Sequence, residues 1–296
     1  FPFPTDSTPY HDTSFRRTLR RSASAEILLP IRRYHVDQRI RVGYTLEERH
    51  VDEYFPTDDV PFAPEDAGRS IDLTRSFKPT LGSLSFLYRV SNAKRYTYSI
   101  SPEDGRTWAV GAKYYSRWLM SDEEFVEATT RYSEYLPGLF DSDVLMLRLK
   151  GGAAYDPPRY LEPFSLGRYF KGMMEAQTEP EDVWGIRGYP AQTVFGDFAA
   201  VGTAEYRLPL IQQDWGLGTF PLMFRNLWLV PFVDYGNVSS DPADMIDYEE
   251  YKLGAGAELH LEFRGGYIMD LDLFAGFARP FDEFCHDTFF FGLSVM

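Results

Sequence analysis

Side chains able to do acid-base or nucleophilic chemistry are few in this chain and lie far apart. Five histidines, His11, His35, His50, His260 and His286, are scattered over 296 residues, and the lone cysteine, Cys285, sits beside His286. There is no G-x-S-x-G elbow, no G-x-x-x-x-G-K-[ST] phosphate loop and no H-E-x-x-H pair. Asp270 and Asp272 stand two apart on one strand face, close enough to act as a pair, yet no nucleophile or base completes a site. Asp241, Asp244, Asp247, Glu249 and Glu250 crowd the segment 239–250, which could hold a calcium ion, although a solvated loop explains them as well. The expectation is a protein that is not an enzyme, with no cofactor.

The elements that would position these residues must therefore be read for another role. Lys and Arg number 30 against 44 Asp and Glu, a net charge of −14, so the basic footprint of a nucleic-acid binder is missing. One cysteine excludes an intramolecular disulfide framework and a cysteine-rich zinc site. No run approaches the roughly 20 apolar residues of a spanning helix, the best being Leu227 to Val233; that excludes a helical membrane protein but not a spanning barrel. The start, Phe1-Pro2-Phe3-Pro4, lacks a basic region followed by an apolar one, so either a leader has been removed or the chain begins partway through a longer one.

The dominant pattern is alternation with period two. From Tyr251 to Phe263 the odd positions are apolar, while Glu258, His260 and Glu262 share the even face. Tyr267 to Phe277 repeats it, with Asp270 and Asp272 on the polar side. Phe198 to Leu208 and Val144 to Lys150 do the same. These segments are about twice the usual strand of five or six residues. Transmembrane strands need roughly 9 to 11 residues, alternate apolar-out with polar-in, and carry aromatic girdles. The chain has 24 Phe, 20 Tyr and 5 Trp, crowded at segment ends. Strands are expected near 17–30, 37–50, 82–101, 105–118, 122–136, 142–155, 195–210, 224–237, 248–262, 266–278 and 287–296. Short turns alternate with long connections (55–78, 156–194, 239–247), as in bacterial barrels with short periplasmic turns and long outer loops. The Leu-Pro pairs at 29–30, 136–137 and 208–209 then fall at inner strand ends, where a missing donor is tolerated.

An odd number of antiparallel strands leaves the first and last running the same way, so they cannot zip shut by antiparallel pairing. Open edges in a bilayer strand backbone groups without partners at several kcal/mol each. Further strands preceding Phe1 are expected to supply closure. Residues 1–16, with Pro2, Pro4 and Pro9, read as a linker or extracellular loop, and 17–296 as the C-terminal part of the barrel.

At Arg187-Gly188-Tyr189-Pro190 the sequence resembles the BamA/TamA superfamily of outer-membrane proteins, the bacterial surface antigen family. Three further signatures agree in order and spacing: Ala204 to Leu210 (AEYRLPL), Phe232 to Val238 (FVDYGNV), and the final Phe289-Phe290-Phe291-Gly292-Leu293. The resemblance covers residues 80–296 well and the earlier strands by pattern. It implies a sixteen-stranded transmembrane antiparallel β-barrel, about 11 strands of it present here, and a long loop, 156–194, folded into the lumen. The loop precedes the fifth-last strand, as in the family, which leaves five strands unaccounted for. The resemblance further implies that Arg187 pairs with Glu205 and Asp234; those two positions lie on the polar sides of their strands. A guanidinium fork suits two carboxylates. The last strand, with Phe289, Phe291 and Leu293 alternating, corresponds to the family's terminal assembly signal. Gly292 fits a loosened strand or a packing position, and Met296 departs from the aromatic ending.

What the resemblance implies is insertion, assembly or translocation of proteins at the outer membrane of a Gram-negative bacterium. Expected partners are outer-membrane lipid and lipopolysaccharide, client outer-membrane proteins or assembly machinery, and upstream domains of the same chain, with no nucleic acid. The turn Ser101 to Arg106 looks like barrels that follow a TolB-like β-propeller. The alternative is a passive pore or a membrane anchor for a fused periplasmic or surface domain, a propeller or a hydrolase.

Overall fold

The computed structural model describes residues 15–56, 71–96, 99–140, 142–158, 161, 163–167, 183–190, 194–216, 218, 222–266, 269–282 and 285–295, with 15–18, 51–56, 71–75, 183 and 295 through their backbone alone. The expectations for residues 1–14, for Tyr267 and for Met296 fall outside them.

Among the described residues the molecule is all-β. The strands are β1 (Phe15–Arg33), β2 (Val36–Pro56), β3 (Ile71–Phe77), β4 (Thr80–Ser91), β5 (Gly105–Tyr115), β6 (Phe125–Pro137), β7 (Val144–Tyr155), β8 (Phe164–Leu166), β9 (Val183–Trp184), β10 (Val194–Gly196), β11 (Phe198–Gly216), β12 (Leu222–Ser239), β13 (Lys252–Gly265), β14 (Met269–Pro280) and β15 (Thr288–Val295). One antiparallel sheet runs β1-β2-β4-β5-β6-β7-β11-β12-β13-β14-β15, with β3 paired to the far end of β2; β8, β9 and β10 form a small second sheet. The path has the eleven strands expected from alternation, and β1 and β15 are its edges.

Register sorts the side chains onto two faces. One row links Leu229, Leu259, Ala275 and Phe291 across β12–β15, and another links Val42, Phe86, Ala112, Ala128 and Ala153 across β2–β7. Large apolar side chains on this face are open: Leu149 is 60% and Phe291 79% exposed. A belt this continuous is far larger than the patches a water-soluble monomer exposes, and it matches a wall that faces lipid. The opposite face carries Glu127, Asp234, Glu258, Glu262 and Asp272, all buried.

Two expectations are corrected. The strand read over 82–101 stops at Ser91, and an isolated bridge between Lys94 and Asp104 follows it before β5 begins at Gly105. Arg106 N–H donates to Asn92 Oδ1 at 2.7 Å, and Lys94 Nζ to Asp104 at 2.8 Å. The parity of Tyr96 and Ile100 continued through this excursion by coincidence, which hid it. The second correction is Pro209. β11 runs on to Gly216, paired with β12 alone once its pairing with β7 ends at Arg207. The proline therefore lies in a two-stranded extension beside a register shift, where one side of the strand is already an edge.

Candidate functional site

The connection between β7 and β11 returns over the polar face of the sheet. β8 pairs antiparallel with β10 and parallel with β9. Their side chains Phe164, Leu166 and Trp184, with Ile186 and Tyr189, pack on Ala154, Ala199, Val201 and Val238 of the wall. Phe164 and Trp184 meet edge to face at 5.5 Å. Residue 152 must be small for this: a Cβ there would stand 2.7 Å from the Trp184 ring and 2.9 Å from Phe164. Each fully buried large side chain stabilises docking by about 1.5–3 kcal/mol before ordering entropy is counted. A second anchor is Leu161, packed with Leu81, Tyr115 and Phe125.

The loop delivers Arg187 to β11, β12 and β13. Nε donates to Asp234 Oδ2 at 2.6 Å and Nη2 to Oδ1 at 2.8 Å, a two-pronged grip, while the Arg187 backbone N–H reaches Oδ2 at 3.1 Å. Nη1 lies 3.1 Å from Glu205 and 3.4 Å from Glu258. The guanidinium carbon sits 3.5 Å from the centre of the Phe232 ring. Arg187 is 8% exposed and Asp234 1%. Burial disfavours the cation, but the hydrogen bonds and charge of Asp234, with the charges of Glu205 and Glu258, outweigh it and hold the Arg187 pKa above its ordinary value. Arg207 closes the other side of Glu205 at 2.9 Å.

The next two residues fix the approach. Gly188 has φ +97°, and a Cβ on it would stand 3.1 Å from the Pro280 nitrogen. Gly188→Ala is therefore expected to lose about 1–3 kcal/mol of loop docking, read as faster protease cleavage between β7 and β11 with the sheet intact. The Tyr189 hydroxyl donates to the Leu253 carbonyl at 3.0 Å. Burial, with the charge of Asp282 nearby, pushes this phenol up to about 12, so it stays a neutral donor at physiological pH. The Leu253 carbonyl also accepts from the Phe281 N–H at 2.9 Å. Tyr189→Phe thus leaves no orphan acceptor and should cost at most about 1 kcal/mol, checked by thermal melting in detergent. Beneath the tripeptide Gly254 leaves room: a Cβ there would be 2.3 Å from the Arg187 carbonyl oxygen.

The structure brings Arg187, Gly188, Tyr189, Glu205 and Asp234 into one place. Glu258 was not singled out for this network. It reaches Arg187 because the two inward positions before it on β13 are Gly254 and Gly256, so the first inward acid after them has a clear path. From Glu258 the contacts run on: His260 bonds Glu258 at 3.2 Å and Asp272 at 3.0 Å, stacked between Trp228 and Phe274. The terminal-strand residues lie elsewhere. Phe289, Phe291 and Leu293 point outward from β15, opposite Phe277, Ala275 and Leu273. Gly292 faces inward opposite Phe274, and among the described residues β15 pairs with β14 alone. Among the described residues no group of His, Cys, Asp and Glu is arranged to hold a metal ion, the acidic loop at 239–250 included. There Asp244 accepts from Ser239 and Asp247 caps the turn at Glu249, which is loop structure.

A family model described as the Omp85 superfamily domain matches residues 10–265. Among solved structures, CdiB from Escherichia coli superposes with a TM-score of 0.57 at 14% identity, over 94% of this chain and 45% of that one. The chain thus spans less than half the length of that neighbour, and the likeness is one of fold. A search of curated proteins gave no match.

Proposed function

The chain belongs to the Omp85 superfamily, and on that premise we propose that it forms part of an outer-membrane β-barrel of the BamA/TamA type. In this reading it assists insertion, assembly or translocation of other proteins at the outer membrane of a Gram-negative bacterium. Lipid and lipopolysaccharide surround its apolar belt, and client barrels or assembly machinery and upstream domains of the same chain are its partners. The observation that carries the reading is the grip of Arg187 on Glu205, Asp234 and Glu258, which seats a long loop against the polar wall. The work would be done without a bond being made or broken in a substrate.

The test is depletion in the native host followed by quantification of other folded outer-membrane barrels by heat-modifiable mobility. The account expects them to fall within a few generations and to recover with the wild-type gene. Unchanged levels, together with steady conductance of the purified protein in planar bilayers, would support a passive pore or anchor instead.

A further inference from the structure

The connection between β5 and β6 does not stand clear of the sheet but folds back over the apolar side of the wall. Register places Tyr44, Leu84, Tyr114, Val126 and Tyr155 in one row across β2, β4, β5, β6 and β7. The row lies two residues along each strand from the outward row through Val42 and Phe86, so it is outward too, and Gly82 is the next outward position on β4. The turn rests on that glycine: a Cβ on Gly82 would collide with the Leu119 carbonyl. The same carbonyl accepts from the Tyr44 hydroxyl of β2 at 2.8 Å. The Trp118 ring stands 6.4 Å from that of Tyr114, again on the outward side. Leu119 is buried under the turn, apart from Leu81, Tyr115 and Phe125, which cluster on the inner side.

The turn is held as a rigid piece. Arg117–Leu119 forms a single 3-10 turn, and the Ser116 carbonyl accepts from the N–H groups of Leu119 at 2.9 Å and Ser121 at 3.2 Å. Met120 takes a left-handed φ of +66°, uncommon for a residue other than glycine. Asp122 N–H donates to the Thr80 carbonyl at 2.8 Å, and Thr80 N–H to the Asp122 carboxylate at 2.6 Å. These contacts tie β5 and β6 back to β2 and β4, yet they leave Trp118 69% and Met120 70% exposed. Two large apolar side chains are thus fixed on a braced turn with most of their surface free.

We propose that this turn is a clasp seated in the bilayer interface, with Trp118 and Met120 at the boundary between acyl chains and headgroups in the leaflet on the side of the long connections. Position and chemistry agree on it. The turn continues the apolar belt at its edge, one step beyond the row that carries three tyrosines, and girdles of Tyr and Trp mark that boundary. An indole has an apolar ring and one N–H donor, which suits a place greasy on one side and wet on the other. Charge begins within one residue: Arg117, paired with Glu124 at 3.9 Å, has a side chain 80% exposed. Two side chains supply far less than the roughly 800 Å² per partner of a stable protein interface, whereas a bilayer asks for no matching surface. The inference depends on the apolar face meeting lipid, and goes beyond the proposed function in that it does not depend on what the barrel does to other proteins.

The experiment compares tryptophan emission from the whole chain and from its Trp118→Phe variant in phosphatidylcholine vesicles, both shown to be folded by heat-modifiable mobility. One set of vesicles carries bromine near the headgroup end of the acyl chains and the other near the methyl end; the difference between the proteins isolates Trp118. That difference should be quenched about twofold more by the shallow bromines than by the deep ones, and less by iodide in the water than free tryptophan is. Gly82→Val, which displaces the turn, should lose most of the shallow quenching of Trp118. Where that variant does not fold, Tyr44→Phe, which removes the hydrogen bond to Leu119, should show a smaller loss. Full iodide quenching with none from either lipid would put the turn in water, and stronger quenching by the deep bromines would put it in the hydrocarbon. Protection from all three would mean that a second copy or another protein covers it, and each of these results overturns the clasp. In the Trp118→Phe protein the remaining emission includes the outward-facing Trp108. If lipid still quenches that emission, failure at Trp118 strikes the clasp alone; if it does not, the lipid-facing wall falls as well.

Discussion

Replacing Arg187 by alanine is expected to cost about 3–5 kcal/mol and to free the loop between β7 and β11, because the buried Asp234 and Glu258 and the partly buried Glu205 lose their shared cation. Asp234 is nearly inaccessible and receives three hydrogen bonds from Arg187, one of them from its backbone, so the side-chain change removes two. Glu205 keeps Arg207 at 2.9 Å, and Glu258 keeps His260 at 3.2 Å, so the loss concentrates on Asp234. Lysine should recover only part, since an ammonium cannot grip both oxygens of Asp234 while reaching Glu205. Arg187→Met with Asp234→Asn should recover more than lysine does, because no unpaired charge is left on β12. The readouts are the temperature at which the heat-modifiable band shifts and the rate of protease cleavage in the loop. An alanine variant with the wild-type transition and cleavage pattern would show that the network does not hold the loop.

Leu259→Arg tests the other face. Leu259 lies midway along β13, 43% exposed, flanked by Leu229 and Ala275 in the outward row. If that row meets hydrocarbon, the arginine should destabilise the barrel by about 2–4 kcal/mol in bilayers, and the same change near the strand end should cost about 1 kcal/mol or less. On a water-facing wall it would fall within about 0.5 kcal/mol of neutral, as exposed surface substitutions do. Urea unfolding in lipid vesicles measures the difference.

How much of this was legible in the sequence follows from what alternation can encode. The eleven strands of the main path were readable because one face must be apolar over a whole strand, and β13 and β14 show it residue by residue. Where that constraint lapses the signal does too. β8, β9 and β10 have two or three residues each, too few to show a period, and they are held by contacts with the wall instead. β3 pairs with an extension of β2 outside the main path. The turn after Ser91 kept the parity of the strand before it, so only its side-chain caps, Asn92 and Asp104, mark it. The arginine network was reachable through the loop tripeptide, which a resemblance supplied; Glu258 needed knowledge of which strand lies beside β12, a fact of pairing that composition does not carry.

The central claim is that the apolar face touches lipid and the polar face an interior occupied by the returning loop. In a Cys285→Ser background, nitroxide labels at Ser85, Phe86, Leu87 and Tyr88 of β4, in lipid vesicles, would report collision with oxygen dissolved in lipid and with a water-soluble nickel reagent. Labels at 86 and 88 should be oxygen-accessible and shielded from nickel, and labels at 85 and 87 should show the opposite. Nickel access at all four positions, or no alternation between them, would contradict the account.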